Sequence, residues 1–176
     1  MFRDGFARGS YAPEAAIFQS VWCYTGRAMD QTTDPAKTAV FDPAKAGWEP
    51  YGSADEGFIG LIGPWWMRQA GDGYEYAFLA EPKHHNRRGV VQGGMLMTFA
   101  DRSMGMTCWY ANERQPQATV QLDMHFISAV QIGEFVEAQC KVVRRTRSLV
   151  FMSAELAVGD RVVATANGVW KTLGKN

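Results

Sequence analysis

The sequence predicts an α+β domain in which one long helix is buried against an antiparallel sheet. Residues 93–112 form an apolar segment that is too long for a strand and has almost no polar face, which is typical of a helix buried on nearly every side. Strand-like segments precede and follow it, and short turns containing glycine join them. Such turns favour antiparallel pairing of the strands they connect.

Residues 1–57 are predicted to form an N-terminal extension, ahead of a main domain at residues 58–176. The extension is rich in Pro, Asp, Gly and Ala, and its pattern predicts one helix over residues 13–29. Asp-Pro-Ala-Lys occurs at residues 34–37 and again at 42–45. Asp-Pro is typical of a turn or a helix start, so we interpret the repeat as structural.

The main domain opens with a predicted hairpin, because strand-like residues 58–69 and 74–80 flank Gly71-Asp72-Gly73. After the helix, residues 119–127 alternate apolar and polar side chains, the period of a strand with one apolar face. Three further strands are predicted at residues 135–145, 148–158 and 161–171, with Gly159-Asp160 as a turn between the last two.

The composition disfavours several classes of protein. The 176 residues contain 18 Lys and Arg and 18 Asp and Glu, which argues against a protein that holds nucleic acid mainly by neutralising phosphates. Residues 81–176 carry twelve basic against eight acidic side chains, so we expect an anionic ligand on this half. No apolar run reaches the roughly 18 residues of a membrane span. We therefore expect a soluble protein without a nucleic-acid or membrane partner. The absence of a disulfide pattern among the cysteines favours a reducing, cytoplasmic location.

Metal and disulfide chemistry are not indicated. Cys23, Cys108 and Cys140 are widely spaced and lack a C-x-x-C pattern. The adjacent His84 and His85 lie far from His125, so the histidines lack the spacing of metal ligands.

The candidate site combines the helix start with one acid inside the helix. Gly93 and Gly94 leave the first N–H groups of the helix accessible to a carbonyl oxygen, as in an oxyanion hole, although they could merely permit a tight turn. Asp101 lies among apolar neighbours, where an unpaired carboxylate would cost several kcal/mol. We interpret Asp101 as catalytic rather than as a structural hydrogen-bonding residue.

The spacing of these groups predicts a site made by two chains. Eight residues separate Gly93 from Asp101, a rise of about 12 Å at ~1.5 Å per residue. One carbonyl carbon cannot contact both groups of the same helix. A shared site therefore needs Gly93 of one chain and Asp101 of another, in at least a symmetric dimer.

Other polar residues could assist at this site. Asn86 could bind a water molecule or the substrate carbonyl, or could cap its own loop. Thr119 could position the same water, or be an ordinary strand threonine. Arg144, Arg145 and Arg147, followed by Ser148, could clamp nucleotide phosphates or form a solvated hairpin tip.

These residues resemble those of the hot-dog fold acyl-CoA thioesterases, particularly the phenylacetate-pathway (PaaI-type) branch. That family has the pattern H-x-N-x-x-G-x-x-H-G-G, followed by an acid eight residues after the first glycine of the pair. The corresponding residues here are His84, Asn86, Gly89, Gln92, Gly93, Gly94 and Asp101. Thr119-Val120-Gln121-Leu122, Ile132-Gly133-Glu134 and Arg147-Ser148 also match, so the resemblance covers about residues 58–172.

The resemblance implies a long central helix wrapped by an antiparallel sheet, and hydrolysis of an acyl-CoA to a free acid and coenzyme A. Asp101 would activate water or attack directly, and the Gly93 N–H would polarise the carbonyl across a dimer interface. Asn86 and Thr119 would assist. The residues expected to bind substrate are Gly94, His84, Arg144, Arg145, Arg147 and Ser148.

The resemblance also implies a homodimer or a dimer of dimers, with coenzyme A as part of the substrate and no other cofactor. Gln92 stands where the family usually has histidine. Because glutamine does not titrate near neutral pH, we expect it only to orient its partners. This keeps a non-catalytic acyl-CoA binding or sensing module as the alternative. A hydratase or dehydratase is a second alternative, but it would need a histidine near an acid.

Overall fold

Seven antiparallel strands form one sheet in the computed structural model, which describes residues 41–52 and 56–174. The strands are β1 (Glu49–Tyr51), β2 (Trp65–Ala70), β3 (Gly73–Leu79), β4 (Gln117–Phe126), β5 (Phe135–Arg145), β6 (Leu149–Val158) and β7 (Arg161–Thr172). Their spatial order is β1-β2-β3-β5-β6-β7-β4. Among the described residues, β4 therefore lies at one edge of the sheet.

In the described ranges, two α-helices accompany the sheet, α1 (Phe58–Ile62) and α2 (Gly93–Ala111), together with short 3-10 helices at Ala44–Ala46 and Pro82–His84. One side of α2 packs on the sheet through Phe99, Ala100 and Met104, which are fully buried. The predicted α+β fold, with a long helix against an antiparallel sheet, is confirmed. The predicted helix 93–112 is correct to within one residue.

The predicted hairpin is confirmed at Gly71, whose φ of +58° suits a tight turn between β2 and β3. The prediction that residues 58–69 are all strand was wrong, because Phe58–Ile62 are helical. Pro64 has no N–H to donate to a strand ladder. The Trp65 indole N–H instead donates to the Ile59 carbonyl at 2.8 Å, which ties the helix to the start of β2.

The sheet includes residues before the expected domain boundary. In β1, Glu49 pairs with Met67 and Tyr51 with Trp65. The second Asp-Pro-Ala-Lys copy begins a short helix, where the Asp42 carboxylate accepts a hydrogen bond from the Ala44 N–H at 3.1 Å. This confirms its predicted structural role. The boundary itself stays a prediction, and both the helix predicted over residues 13–29 and the first copy of the repeat lie outside the described residues.

One side of α2 is open, so the prediction of burial on nearly every side was wrong for a single chain. Met97 is 38% exposed there, and Asp101, Gly105 and Trp109 are half-buried. The predicted apolar face of β4 is confirmed at Leu122 and Met124, which pack on the core. A bulge between Thr119 and Gln121 breaks the alternation, and Val120 and Phe126 are 60% and 54% exposed.

No helix among the described residues is long and apolar enough to span a membrane. Across those same ranges, no group of three or more His, Cys, Asp or Glu side chains is arranged to hold a metal ion.

Candidate active site

Asp101 lies on the open side of α2 and is held by β4. The Thr119 hydroxyl donates a hydrogen bond to Asp101 Oδ1 at 2.8 Å, so the structure brings these two predicted residues together. Asp101 is half-buried, and the expectation of a buried carboxylate was wrong. Of its apolar neighbours three or four positions away, Met104 and Cys108 are buried, whereas Met97 and Gly105 lie on the open side with it, so these residues do not enclose the carboxylate. The carboxylate is therefore accessible, and no residue that the structure describes donates a hydrogen bond to its second oxygen.

A groove of about 370 Å³ extends from Asp101 along α2. Gly105, Met106 and Trp109 continue it along the helix, while Gln117 and Trp170 line its sheet side. The Gln117 amide donates to the Gly105 carbonyl at 2.6 Å and accepts from the Cys108 thiol at 2.8 Å. Both ends of this side chain are therefore engaged in fixing β4 to the helix.

Gln92 caps the N-terminus of α2. Its side-chain oxygen accepts a hydrogen bond at 3.2 Å from the Met95 N–H, a first-turn donor that it shares with the Gln92 backbone carbonyl at 2.9 Å. Because a backbone N–H can only donate, this contact identifies the amide oxygen, and the Gln92 NH₂ group donates no hydrogen bond to any described residue. Gln92 therefore retains donors at the site, while its acceptor serves the helix.

The absence of a side chain has a different structural effect at each of the two glycines that follow Gln92. A Cβ on Gly94 would lie 2.6 Å from Gln92 Oε1, so Gly94 makes room for the cap. A Cβ on Gly93 would meet only the Phe126 ring, at 3.4 Å. Within the described residues, neither glycine donates a hydrogen bond from its N–H. Both N–H groups are thus available to an oxygen atom, as an oxyanion hole requires.

A second groove of about 400 Å³ lies at this end of the helix. It is lined by Phe58, Ile62, Lys83, His84, His85, Gln92, Gly94, Met95 and Thr98. None of these residues lines the groove at Asp101. Gly93 itself lines a separate groove of about 290 Å³ beside Phe126, and neither this groove nor that of Gly94 shares a lining residue with the groove at Asp101. The donors and the carboxylate therefore face different grooves of one chain, as the helical spacing predicts.

His84 and Asn86 hold the segment that leads into Gln92. His84 is 3% exposed; its Nδ1 accepts from the Glu81 N–H at 3.0 Å, and its Nε2 lies 2.8 Å from the Ile62 carbonyl oxygen. Burial lowers the pKa of His84. Asn86 Oδ1 accepts from the Arg88 N–H at 2.7 Å, the loop-capping arrangement. The substrate contacts expected of both residues stay predictions.

The basic residues near the turn between β5 and β6 do not share a common set of contacts. Arg145 donates to the Ala111 carbonyl at 2.9 Å and lies 3.6 Å from the Glu113 carboxylate. It therefore caps the C-terminus of α2, where a cation is favourable. Arg144, Arg147 and Ser148 are exposed. Phosphate binding by this group stays a prediction.

The residues that line the far end of the Asp101 groove were not predicted from the sequence. Gly105 and Trp109 follow Asp101 at four and eight positions, and residues at that spacing share a helix face. This signal was present in the sequence. By contrast, Trp170 and Gln117 reach the groove only because β7 and β4 pair beside the helix.

Comparison with known proteins places this architecture in a family. The sequence model of the thioesterase superfamily matches residues 88–167, which include Gln92, Asp101 and Thr119. A Pseudomonas aeruginosa protein named as an esterase is 34% identical over 114 residues, covering 64% of this chain and 85% of the relative. Acyl-coenzyme A thioesterase 13 of Mus musculus is 25% identical over 76 residues, 43% of this chain and 54% of the relative.

Solved structures share the fold. Zebrafish thioesterase superfamily member 2 has a TM-score of 0.63 at 25% identity, covering 69% of this chain and 90% of that one. The phenylacetic acid degradation protein PaaI of Thermus thermophilus, solved as a point mutant, has a TM-score of 0.59 at 22% identity, covering 66% and 98%. The chain belongs to the thioesterase superfamily and has its hot-dog fold, the fold that the PaaI proteins also have.

Proposed function

We propose that this protein hydrolyses acyl-CoA thioesters to a free acid and coenzyme A, in a site completed by two copies of the chain. Family membership supports thioester hydrolysis in general. The observation that carries the specific proposal is the Asp101–Thr119 hydrogen bond on an accessible helix face, about 12 Å along that helix from the available N–H groups.

The geometry of β4 supports a two-chain site. Thr119, near the start of β4, contacts Asp101, whereas Phe126, at its end, lies against Gly93. If two β4 strands pair antiparallel about an axis near Leu122, the Thr119 end of one lies beside the Phe126 end of the other. Gly93 of each chain is then carried toward Asp101 of its partner. The same pairing would use the edge strand and cover the exposed Val120 and Phe126.

In the proposed reaction, Asp101 takes a proton from a water molecule as the water oxygen attacks the thioester carbonyl carbon. Thr119 holds one carboxylate oxygen, which leaves the other to bind the water. The Gly93 N–H and the Gln92 amide of the partner stabilise the negative charge on the carbonyl oxygen. The C–S bond then breaks, and the thiolate of coenzyme A takes the proton from Asp101. No metal or further cofactor is proposed, because every proton and electron pair is accounted for.

Thiol release from a panel of acyl-CoAs tests the proposal. Asp101→Asn should lower kcat by about 10²–10⁴-fold, the usual contribution of a general base. Asp160→Asn is the matched control, because Asp160 is an exposed carboxylate in the turn between β6 and β7 and lines none of the three grooves. Unchanged turnover in Asp101→Asn would refute the mechanism. Tight acyl-CoA binding without any turnover by the wild type would instead favour the sensing module.

A further inference from the structure

The groove at Asp101 extends along α2 as far as Trp109. Asp101, Gly105 and Trp109 form one stripe of α2, and all three line the groove. Trp170, on β7, lines its sheet side and is 2% exposed. A substrate carbonyl at Asp101 would therefore place the first atoms of its acyl group over Gly105, with the Trp109 indole ahead of them.

Gly105 keeps the middle of this groove open. A Cβ at this position would meet only the Trp170 indole, with Nε1 at 3.4 Å and Cε2 at 4.0 Å, which are ordinary contacts. Packing among the described residues does not require a glycine here, and glycine weakens a helix interior relative to alanine. The absence of a side chain at Gly105 therefore leaves a gap between the Asp101 carboxylate and the Trp109 indole, and this gap comes at a cost in helix stability.

The side chain and the backbone of Arg114 both contact Trp109. The Arg114 guanidinium lies 5.5 Å from the centre of the Trp109 ring, and the Arg114 N–H donates to the Trp109 carbonyl at 2.8 Å. Glu113 and Arg114 adopt φ of +54° and +59°, a left-handed conformation that is costly for residues with a Cβ. Arg145 braces the same turn through Ala111 and Glu113. Several contacts thus fix the indole at the end of the groove.

We propose that Trp109 is the end wall of the acyl pocket and sets the maximum length of the acyl group. This inference rests on the proposed function. Asp101 and Trp109 are about 12 Å apart along the axis, at ~1.5 Å per residue. An extended chain advances roughly 1.3 Å per carbon, given C–C bonds of ~1.5 Å, so acyl groups beyond about nine carbons meet the indole. The substrates are accordingly acyl-CoAs with short and medium acyl groups.

The test compares chain-length profiles for hydrolysis and for binding. Acyl-CoAs of increasing length are assayed by thiol release, and S-alkyl-CoA thioethers, which cannot be hydrolysed, are titrated calorimetrically. Wild type should lose at least about tenfold in kcat/KM and in affinity beyond the length limit, a difference of ~1.4 kcal/mol. Trp109→Ala should shift both limits by several carbons toward longer chains, and Trp109→Phe should shift them less.

Tyr110→Ala is the matched control. Tyr110 is the adjacent aromatic residue and also contacts Arg114, at 5.7 Å, but it does not line the groove. It should leave the length limit unchanged even if stability falls. A profile that is identical in wild type and Trp109→Ala overturns the inference while leaving hydrolysis intact. A thioether limit that shifts in a protein without turnover upholds the end wall and refutes the proposed reaction, and absence of both binding and turnover refutes both.

Discussion

Replacing Gly93 with proline removes one N–H from the first position of α2 and changes little else. Proline is tolerated at that position, since its fixed φ suits the helix start. Gln92, the residue before it, has φ −68° and ψ 135°, the extended conformation that a following proline requires. Gly93→Ala is the matched control, because it adds a Cβ 3.4 Å from the Phe126 ring but keeps the N–H.

The expected effect is on turnover rather than on folding. Loss of one oxyanion donor costs about 10²–10³ in kcat, or roughly 3–4 kcal/mol of transition-state stabilisation. We therefore expect Gly93→Pro to lose at least about a hundredfold in thiol release, while Gly93→Ala stays close to wild type. Thermal unfolding curves for both variants check that the helix start is intact. Equal activity of the two variants would contradict the assignment of the Gly93 N–H.

Mixing two inactive variants distinguishes a two-chain site from a one-chain site. Differently tagged Gly93→Pro and Asp101→Asn chains are produced together, so that heterodimers form. Each heterodimer then holds one site with both defects and one with neither, and statistical mixing gives about a quarter of wild-type activity. If heterodimers are recovered through both tags and remain as inactive as the parents, the site does not combine Gly93 of one chain with Asp101 of the other.

Two further predictions concern stability. Burial lowers the pKa of His84 from its ordinary 6.5. The unfolded chain therefore binds a proton on this imidazole more readily than the folded chain does. As a result, part of the free energy of unfolding that is present at pH 7.5 is lost as the pH falls through about 6.5. Urea unfolding should give this dependence of the free energy of unfolding on pH in wild type and in His85→Gln, the control at an exposed site. The dependence should be weaker in His84→Gln, and an equal dependence in all three proteins would contradict the prediction. Gln92→Ala should remove about 1 kcal/mol of capping and lower Tm by roughly 2–4 °C, whereas Gln92→Asn, which keeps a capping oxygen, should not. An unchanged Tm in Gln92→Ala would show that the cap is unimportant.

Local patterns were sufficient to predict α2, the later strands and the Gly71 turn, because periodicity and turn chemistry act over a few residues. They failed at Phe58–Ile62, where apolar residues look alike in a strand and in a short helix. The break at Gly63-Pro64 was the available signal. Asp101 was expected to be buried because its helical neighbours are apolar. Burial depends on what covers the helix, and the chain's own sheet covers only one side of α2.

The spacing of Gly93 and Asp101 also predicted their separation, since helical rise is fixed by backbone geometry. The state of individual polar groups could not be predicted in this way. Arg145 was a candidate for phosphate binding, yet it contacts the Ala111 carbonyl, 34 residues away in the sequence. Gln92 was expected to orient a partner, and the partner of its oxygen is the Met95 N–H. Such contacts depend on which elements the tertiary fold brings together.

The unpaired sheet edge and the exposed apolar side chains of a single chain both lie along β4. β4 is ten residues long and unpaired on one side within the described sheet, and Phe126, Ile127 and Val120 expose more than half of their surface beside it. An exposed apolar edge favours uncontrolled pairing with other chains, and proteins ordinarily cover such edges. In the proposed dimer, a second copy of β4 would cover this edge and, since Thr119 and Phe126 lie at opposite ends of the strand, would bring the carboxylate of one chain to the helix N-terminus of the other. Covering the edge and completing the site would then be consequences of the same contact.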